Sequence, residues 1–136
     1  MKKILKHKHF IVRAEIKNKT KNPLEINEWM RNLIKKIGMN ILLGPFTAYE
    51  HSPGNRGSTS IVVLTTSHAS LHIWDEVDPG LLEFDLYSCS DFNINDVIEH
   101  LKFFEPVKIE YKFLDRENFL IELEHKIIEN ENVIVT

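Results

Sequence analysis

Ser67, His68, His72 and Cys89 are the residues of this chain whose types and spacing could do chemistry. They fall in "TTSHASLHIWDE", Thr65 to Glu76, and in "FDLYSCS" just downstream. Residues 68–74 alternate polar and apolar. That places His68, Ser70, His72 and Trp74 on one face of a strand, with Ala69, Leu71 and Ile73 on the other. Three chemistries are open for that polar face. Two imidazoles can begin a metal site, but no obvious third ligand accompanies them. They can also be polar positions on a half-solvated sheet. A serine, a histidine and a lone cysteine can support nucleophilic chemistry, although "TTSHA" lacks the glycine-flanked strand-to-helix elbow of the common serine hydrolases. Cys89 lies just before a predicted helix, where a thiol can be activated.

The separation of Ser67 and His72 is odd, so an unbroken strand would point them to opposite faces. Either the histidine acts on the backbone at position 67 or the chain turns sharply at Thr66-Ser67. A turn or strand break is predicted there.

The elements that must carry these residues can be read from the pattern. "HKHFIVRAEI" is a strand. Asn22 caps a helix with Pro23 at its first position and Glu25 three residues after the cap. Its apolar face is Ile26, Trp29, Met30, Leu33, Ile34 and Ile37, and Gly38 stops it. "MNILLGPFTAYE" is a strand with a bend at Gly44-Pro45, followed by the loop "HSPGNRG". "STSIVVLTT", "HASLHIW" and "LLEFDLYS" are further strands, the last two separated by the turn "DEVDPG". Asn93 caps a second helix with Asp96 in its first turn and Ile94, Val97, Ile98, Leu101 and Phe104 on one face, ended by Pro106. "VKIEYKFL" is a strand, and from Asp115 the spacing of Phe119, Leu120, Leu123, Ile127 and Ile128 suggests a helix. Adjacent strands joined by short turns pair antiparallel. The expected fold is α+β, a two-layer sandwich with an antiparallel sheet and two helices packed on one face.

Bulk properties narrow the function classes. At 136 residues a single domain spanning 1–136 is expected, long enough to bury a core without a staple. Net charge of −3 argues against nucleic-acid binding, which needs a basic footprint, although the first eight residues are rich in lysine. One cysteine rules out an intrachain disulfide and suits a reducing compartment. No apolar run reaches the roughly 18 residues of a membrane span. A cytoplasmic protein with no metal, no nucleic-acid partner and no membrane partner is expected.

The serine-to-histidine spacing, "HIWDE", "GPFTAY", "GNRG" and the lone cysteine in "FDLYSCS" together resemble the pyruvoyl-dependent S-adenosylmethionine decarboxylases of the short bacterial and archaeal type. The resemblance runs from the first strand to about Leu114. It implies an enzyme that makes its cofactor, a pyruvoyl group, from its own Ser67. The Ser67 hydroxyl attacks the carbonyl of Thr66, and His72 helps remove the α-proton of residue 67. Elimination then cuts the chain into residues 1–66 and 67–136. The pyruvoyl ketone serves as electron sink through a Schiff base with the substrate amine, as other carbonyl cofactors do. Cys89 takes the place of the general acid. Thr59 assists processing, Glu76 binds ribose hydroxyls, Tyr49 stacks on adenine and His68 lines the site. The family forms homodimers in which both subunits complete each site, and its product donates aminopropyl groups for spermidine synthesis. This chain departs from the family pattern at Thr66 (Glu), Asp75 (Pro) and Ser90 (Gly). Proteins on the same scaffold also decarboxylate arginine or ornithine, or act on S-adenosylmethionine without a pyruvoyl group.

Overall fold

In the computed structural model the chain is described for residues 6–129 and for the backbone of 132–135. The first five residues of the lysine-rich start lie outside that range. Eight strands form one sheet: β1 (Lys8–Ile16), β2 (Ile41–Glu50), β3 (Gly57–Leu64), β4 (Ser67–Trp74), β5 (Gly80–Ser88), β6 (Pro106–Asp115), β7 (Ile121–Glu129) and β8 (Asn132–Val135). Their spatial order is β2-β3-β4-β5-β1-β6-β7-β8, and every pairing is antiparallel. Two helices, α1 (Pro23–Lys36) and α2 (Ile94–Leu101), cover one face. The α+β two-layer sandwich expected from the pattern is the observed fold.

The helices form for the reasons their sequences suggest. The Asn22 side chain accepts from the Leu24 N–H at 3.0 Å, and the Asn93 side chain accepts from the Asn95 N–H at 2.9 Å, each satisfying a donor the helix cannot. Past α1, Gly38 takes φ +75, which only a residue without Cβ adopts freely. Ile26, Trp29, Met30, Leu33 and Ile34 of α1, with Val97 and Leu101 of α2, bury against Phe10, Val12, Val62, Leu71, Phe84 and Leu86 of the sheet. The helices are cross-linked as well. Trp29 Nε1 donates to the His100 carbonyl at 3.0 Å, and His100 Nε2 donates back to the Trp29 carbonyl at 2.8 Å.

The tail is not helical. Residues from Ile121 form β7, paired with β6, and β8 pairs with β7 in turn. The apolar spacing that suggested a helix comes from two sources. Phe119 and Leu120 belong to the connection between strands and stay 75% and 78% exposed, so they mark no buried stripe. Ile127 and Ile128 are adjacent β-branched residues, which suit a pleated strand better than a helix. Pairing also satisfies the open edge of β6, and cross-strand contacts fix it: Tyr111 donates to Glu124 at 3.0 Å, and His125 Nε2 reaches Glu110 at 2.8 Å.

Among the described residues, no helix covers the opposite face of the sheet. Its residues include Phe46, Ile61, Val63, His68, Ser70, His72, Asp85, Tyr87, His9 and Ile11, as the registers of β1 to β5 require. This open face is the one that concerns function.

Candidate active site

β3 and β4 are joined by a two-residue connection, Thr65-Thr66, so that Leu64 pairs with Ser67. The strand break expected at Thr66-Ser67 is therefore a hairpin turn. Thr66 sits at φ +52. A β-branched residue there is an outlier, because Cβ crowds the backbone, at a cost of about 1–2 kcal/mol. Hairpins of this length normally place Gly or Asn at such a position.

Cys89 lies against this turn, at the end of β5. Its N–H donates to Ser67 Oγ at 3.0 Å. Its Sγ is 2.6 Å from Thr66 Oγ1 and 3.7 Å from the Thr65 carbonyl. The Thr66 hydroxyl also donates to the Thr65 carbonyl at 2.8 Å. The hydroxyl and the thiol each carry one proton and both reach the Thr65 carbonyl, so either can be the donor in the contact between them. Thr66, Ser67 and Cys89 thus form one cluster, with Cys89 23 and 22 residues from the other two in sequence and in direct contact with both in space.

His72 and Thr59 form a second cluster. They are directly opposed on β4 and β3, and Thr59 Oγ1 lies 3.0 Å from His72 Nδ1. The His72 ring lies 5.9 Å from that of Trp74, whose Nε1 donates to Asn55 Oδ1 at 3.0 Å. A cavity of about 160 Å³ is lined there by Glu50, Asn55, Ser58, Thr59, His72 and Trp74, among others. The Ser58 hydroxyl is buried and has no hydrogen-bond partner among the described residues, but the register turns it to the helix-covered face, away from Thr59 and His72.

The two clusters are not brought together within one chain. His72 is five residues along β4 from Ser67, about 16 Å at the usual rise of a strand, and faces the other side. His68 lies nearer the turn on the open face. It stacks on Tyr87 with ring centroids 5.7 Å apart, and its Nε2 is 3.9 Å from Asp85 Oδ1.

Glu76 holds a loop in place. Its carboxylate accepts from the N–H groups of Arg56 at 2.9 Å and Gly54 at 3.1 Å, and these bonds hold it below the usual carboxylate range. It borders a cavity of about 260 Å³ with Gly54, Arg56, Trp74, Val77 and Leu81. Tyr49 pairs with Ser58 in register, placing it on the opposite side of the sheet from the Thr59–His72 pair. Its hydroxyl donates to Asp75 at 2.6 Å, which raises the phenol above its ordinary value. Asp75, standing where the family pattern has proline, is therefore the anchor of Tyr49.

A group missed in the sequence centres on Asp85. It accepts from His9 Nε2 at 3.2 Å and from Ser70 at 3.2 Å, and the His9 bond leads in holding its carboxyl below the ordinary value. His9 Nδ1 in turn faces Arg116 Nη1 at 3.1 Å, and an arginine can only donate, so His9 is the Nε2–H tautomer. The Arg116 guanidinium lies 4.7 Å from the centre of the Tyr87 ring. The alternation of "LLEFDLYS" already placed Asp85 and Tyr87 on one face. What sequence lacked was the register that sets that face beside His9 and His68.

Among the described residues, no group of three or more His, Cys, Asp or Glu is placed to hold a metal ion. No helix among them is long and apolar enough to cross a membrane.

Comparison with known proteins follows this geometry. An S-adenosylmethionine decarboxylase proenzyme of Picrophilus torridus is 32% identical over 62 residues, covering 44% of this chain and 46% of that protein, so the match spans about half the relative's length. One from Methanococcus vannielii is 26% identical over 111 residues, covering 80% of this chain and 79% of the relative. The crystal structure of the adenosylmethionine decarboxylase from Aquifex aeolicus VF5 superposes with a TM-score of 0.63 at 20% identity, covering 88% of this chain and 96% of that one, and shares its fold. Residues 9–117 match the family described as S-adenosylmethionine decarboxylase, the span that holds the hairpin turn, Cys89 and the Thr59–His72 pair; the chain belongs to that family.

Proposed function

We propose that this protein cuts itself between Thr66 and Ser67 and then decarboxylates S-adenosylmethionine. The observation that carries this reading is the hairpin turn, where Ser67 Oγ is held by the Cys89 N–H and Thr66 is in a left-handed conformation. Ser67 Oγ attacks the Thr66 carbonyl carbon. The C–O bond forms, the C–N bond breaks, and the hydroxyl proton passes to the departing Ser67 nitrogen. A base then takes the α-proton of residue 67, and the Cβ–Oγ bond breaks to release a Thr66 carboxylate. The enamine so formed takes a proton at Cβ and loses one from nitrogen to become an imine, and water converts that to a ketone with loss of ammonia, leaving a pyruvoyl group on residues 67–136. That group supplies an electron sink for loss of carbon dioxide.

The surrounding residues fit such a group. Cys89 touches Ser67 through its N–H and Thr66 through its Sγ, which places the thiol to protonate the substrate carbon after decarboxylation. Thr59 fixes the ring of His72 as the base. His72 is too far along β4 to serve its own turn, so the working unit is a homodimer in which the partner subunit's His72 acts. The open face supports this, since Ile11, Phe46, Ile61 and Val63 are 41%, 64%, 47% and 37% exposed there without a covering layer. Stacking two sheets through these faces would cover that apolar surface and bring the two chains' β4 strands together. Glu76 and the Arg56 loop border the nucleoside end, with Tyr49 held behind them by Asp75. The names of the sequence relatives favour S-adenosylmethionine over arginine or ornithine. The product would supply aminopropyl groups for spermidine synthesis in the cytoplasm.

The intact mass tests the first step. The 15.9 kDa chain is expected to resolve into two pieces split at Thr66-Ser67, with a pyruvoyl mass at the new N-terminus. A single chain after long incubation would sink the reading. Carbon dioxide release from S-adenosylmethionine, arginine and ornithine in parallel then assigns the substrate.

A further inference from the structure

The feature least expected of an ordinary hairpin is the residue at its tightest point. Thr66 is one of two non-glycine residues at positive φ among those described. The other, Glu105, follows the short 3-10 turn after α2, in a connection where nothing reactive is placed. Thr66 is β-branched, which disfavours φ +52, and its own side chain offers only the short bond from its hydroxyl to the Thr65 carbonyl at 2.8 Å. The longer-range hold comes from the residue just after β5: Cys89 Sγ against Thr66 Oγ1 at 2.6 Å, and the Cys89 N–H on Ser67 Oγ at 3.0 Å. The neighbouring pair Leu64–Ser67 closes the turn from the other side, so the backbone cannot relax by sliding. Non-optimal backbone of this kind persists where the surrounding structure over-determines it.

We propose that Thr66 is a positioning residue for chain scission: the contact between its hydroxyl and the Cys89 thiol clamps the turn in a left-handed conformation, and breaking the peptide bond between 66 and 67 releases that strain. The proposal rests on the self-cleavage reading and deepens it. The peptide C–N bond between residues 66 and 67 is what transmits the hairpin's constraint to Thr66. When Ser67 Oγ has taken over the acyl group and the nitrogen has left, Thr66 hangs from a longer ester link with more freedom to rotate, and its φ can relax. The strain therefore acts on the amide and not on the ester, and it moves the equilibrium between them toward the ester. Cys89 accordingly has a part in scission through its contacts with the turn, separate from any proton it delivers later.

The test uses the full chain with a readout that needs no decarboxylation. Hydroxylamine splits an ester at this position but not the amide, so the fraction split in a short exposure reports the ester population, and mass spectrometry follows spontaneous scission. Thr66→Gly and Thr66→Asn accept a left-handed φ readily and lack the hydroxyl. Each is expected to lower the scission rate and the hydroxylamine-split fraction about tenfold. Thr66→Ser, which keeps the hydroxyl, is expected to stay within about threefold of the parent. Thermal midpoints measured in a Ser67→Ala background check that all three still fold. If Thr66→Gly and Thr66→Asn fold and cut as fast as the parent chain, the inference is overturned while self-cleavage stands. If the parent chain is neither cut nor split by hydroxylamine, it is the self-cleavage reading that fails.

Discussion

Ser67 and Cys89 touch through a backbone N–H and a side-chain oxygen, which separates their two duties. Ser67→Ala removes the nucleophile and leaves the Cys89 amide in place, so the variant is expected to fold and remain a single chain on a denaturing gel. Cys89→Ala keeps the amide but removes the thiol. Its scission is expected to slow by about tenfold or less, whereas carbon dioxide release from the cut enzyme should fall by at least about a hundredfold, the usual scale for loss of a general acid. Unchanged release from the cut enzyme would show that the thiol acts only in scission. Thr59→Val tests the second cluster. It keeps the shape and deletes the oxygen at 3.0 Å from His72 Nδ1, so scission should slow by about one order of magnitude with little change in thermal midpoint. The residue scale was partly legible in the sequence: serine, histidine and cysteine announced themselves by type. Asp85, Asp75 and Ser58 did not, because an acid or hydroxyl on a strand is ordinary until its neighbour across the sheet is known.

Elements decide how firmly these residues are held. Gly57 begins β3, two residues before Thr59, and a Cβ there would lie 1.7 Å from the Ile73 carbonyl oxygen. Gly57→Ala must therefore part β3 from β4 beside the Thr59–His72 pair. The expected result is a chain destabilised by more than about 2 kcal/mol in denaturant melts, with impaired scission. The helices offer a second test. Burial keeps the His100 imidazole below its ordinary pKa, with Lys36 pushing the same way and the bond to the Trp29 carbonyl opposing them. A histidine depressed in the fold contributes stability that is complete above its unfolded value of about 6.5 and is lost as pH falls from there through the folded value. The thermal midpoint should drop on acidification below that point, and by less in His100→Gln, which has no proton to gain. Equal pH dependence in the two proteins would refute the assignment. Caps, stripes and stops made both helices readable in advance. The strand β7 was not, because a short run of apolar residues has no unique period, and the open edge of β6 settled what local spacing left ambiguous.

At the scale of the whole molecule the test is complementation. If each site takes Ser67 from one chain and His72 from the other, His72→Ala alone should cut poorly. Co-expressed with Ser67→Ala, the His72→Ala chain should be cut, because the mixed dimer holds one complete site. Labelling the two chains with different tags shows which is split, and no rescue would place both residues in one chain's site. Size measurement in solution should give a dimer.

The sequence by itself determined the order of elements through β6, the two helices and their caps, the α+β class, the break before Ser67 and the family, because these rest on local periodicity, turn chemistry and short motifs. Only the tertiary structure decided that Cys89 touches Thr66, that Thr59 faces His72, that Glu76 holds the Arg56 loop and that Ser67 and His72 lie far apart on one strand. Those are matters of register between strands, and register is set by the packing of the whole sheet, where a shift of one residue would turn every side chain to the other face.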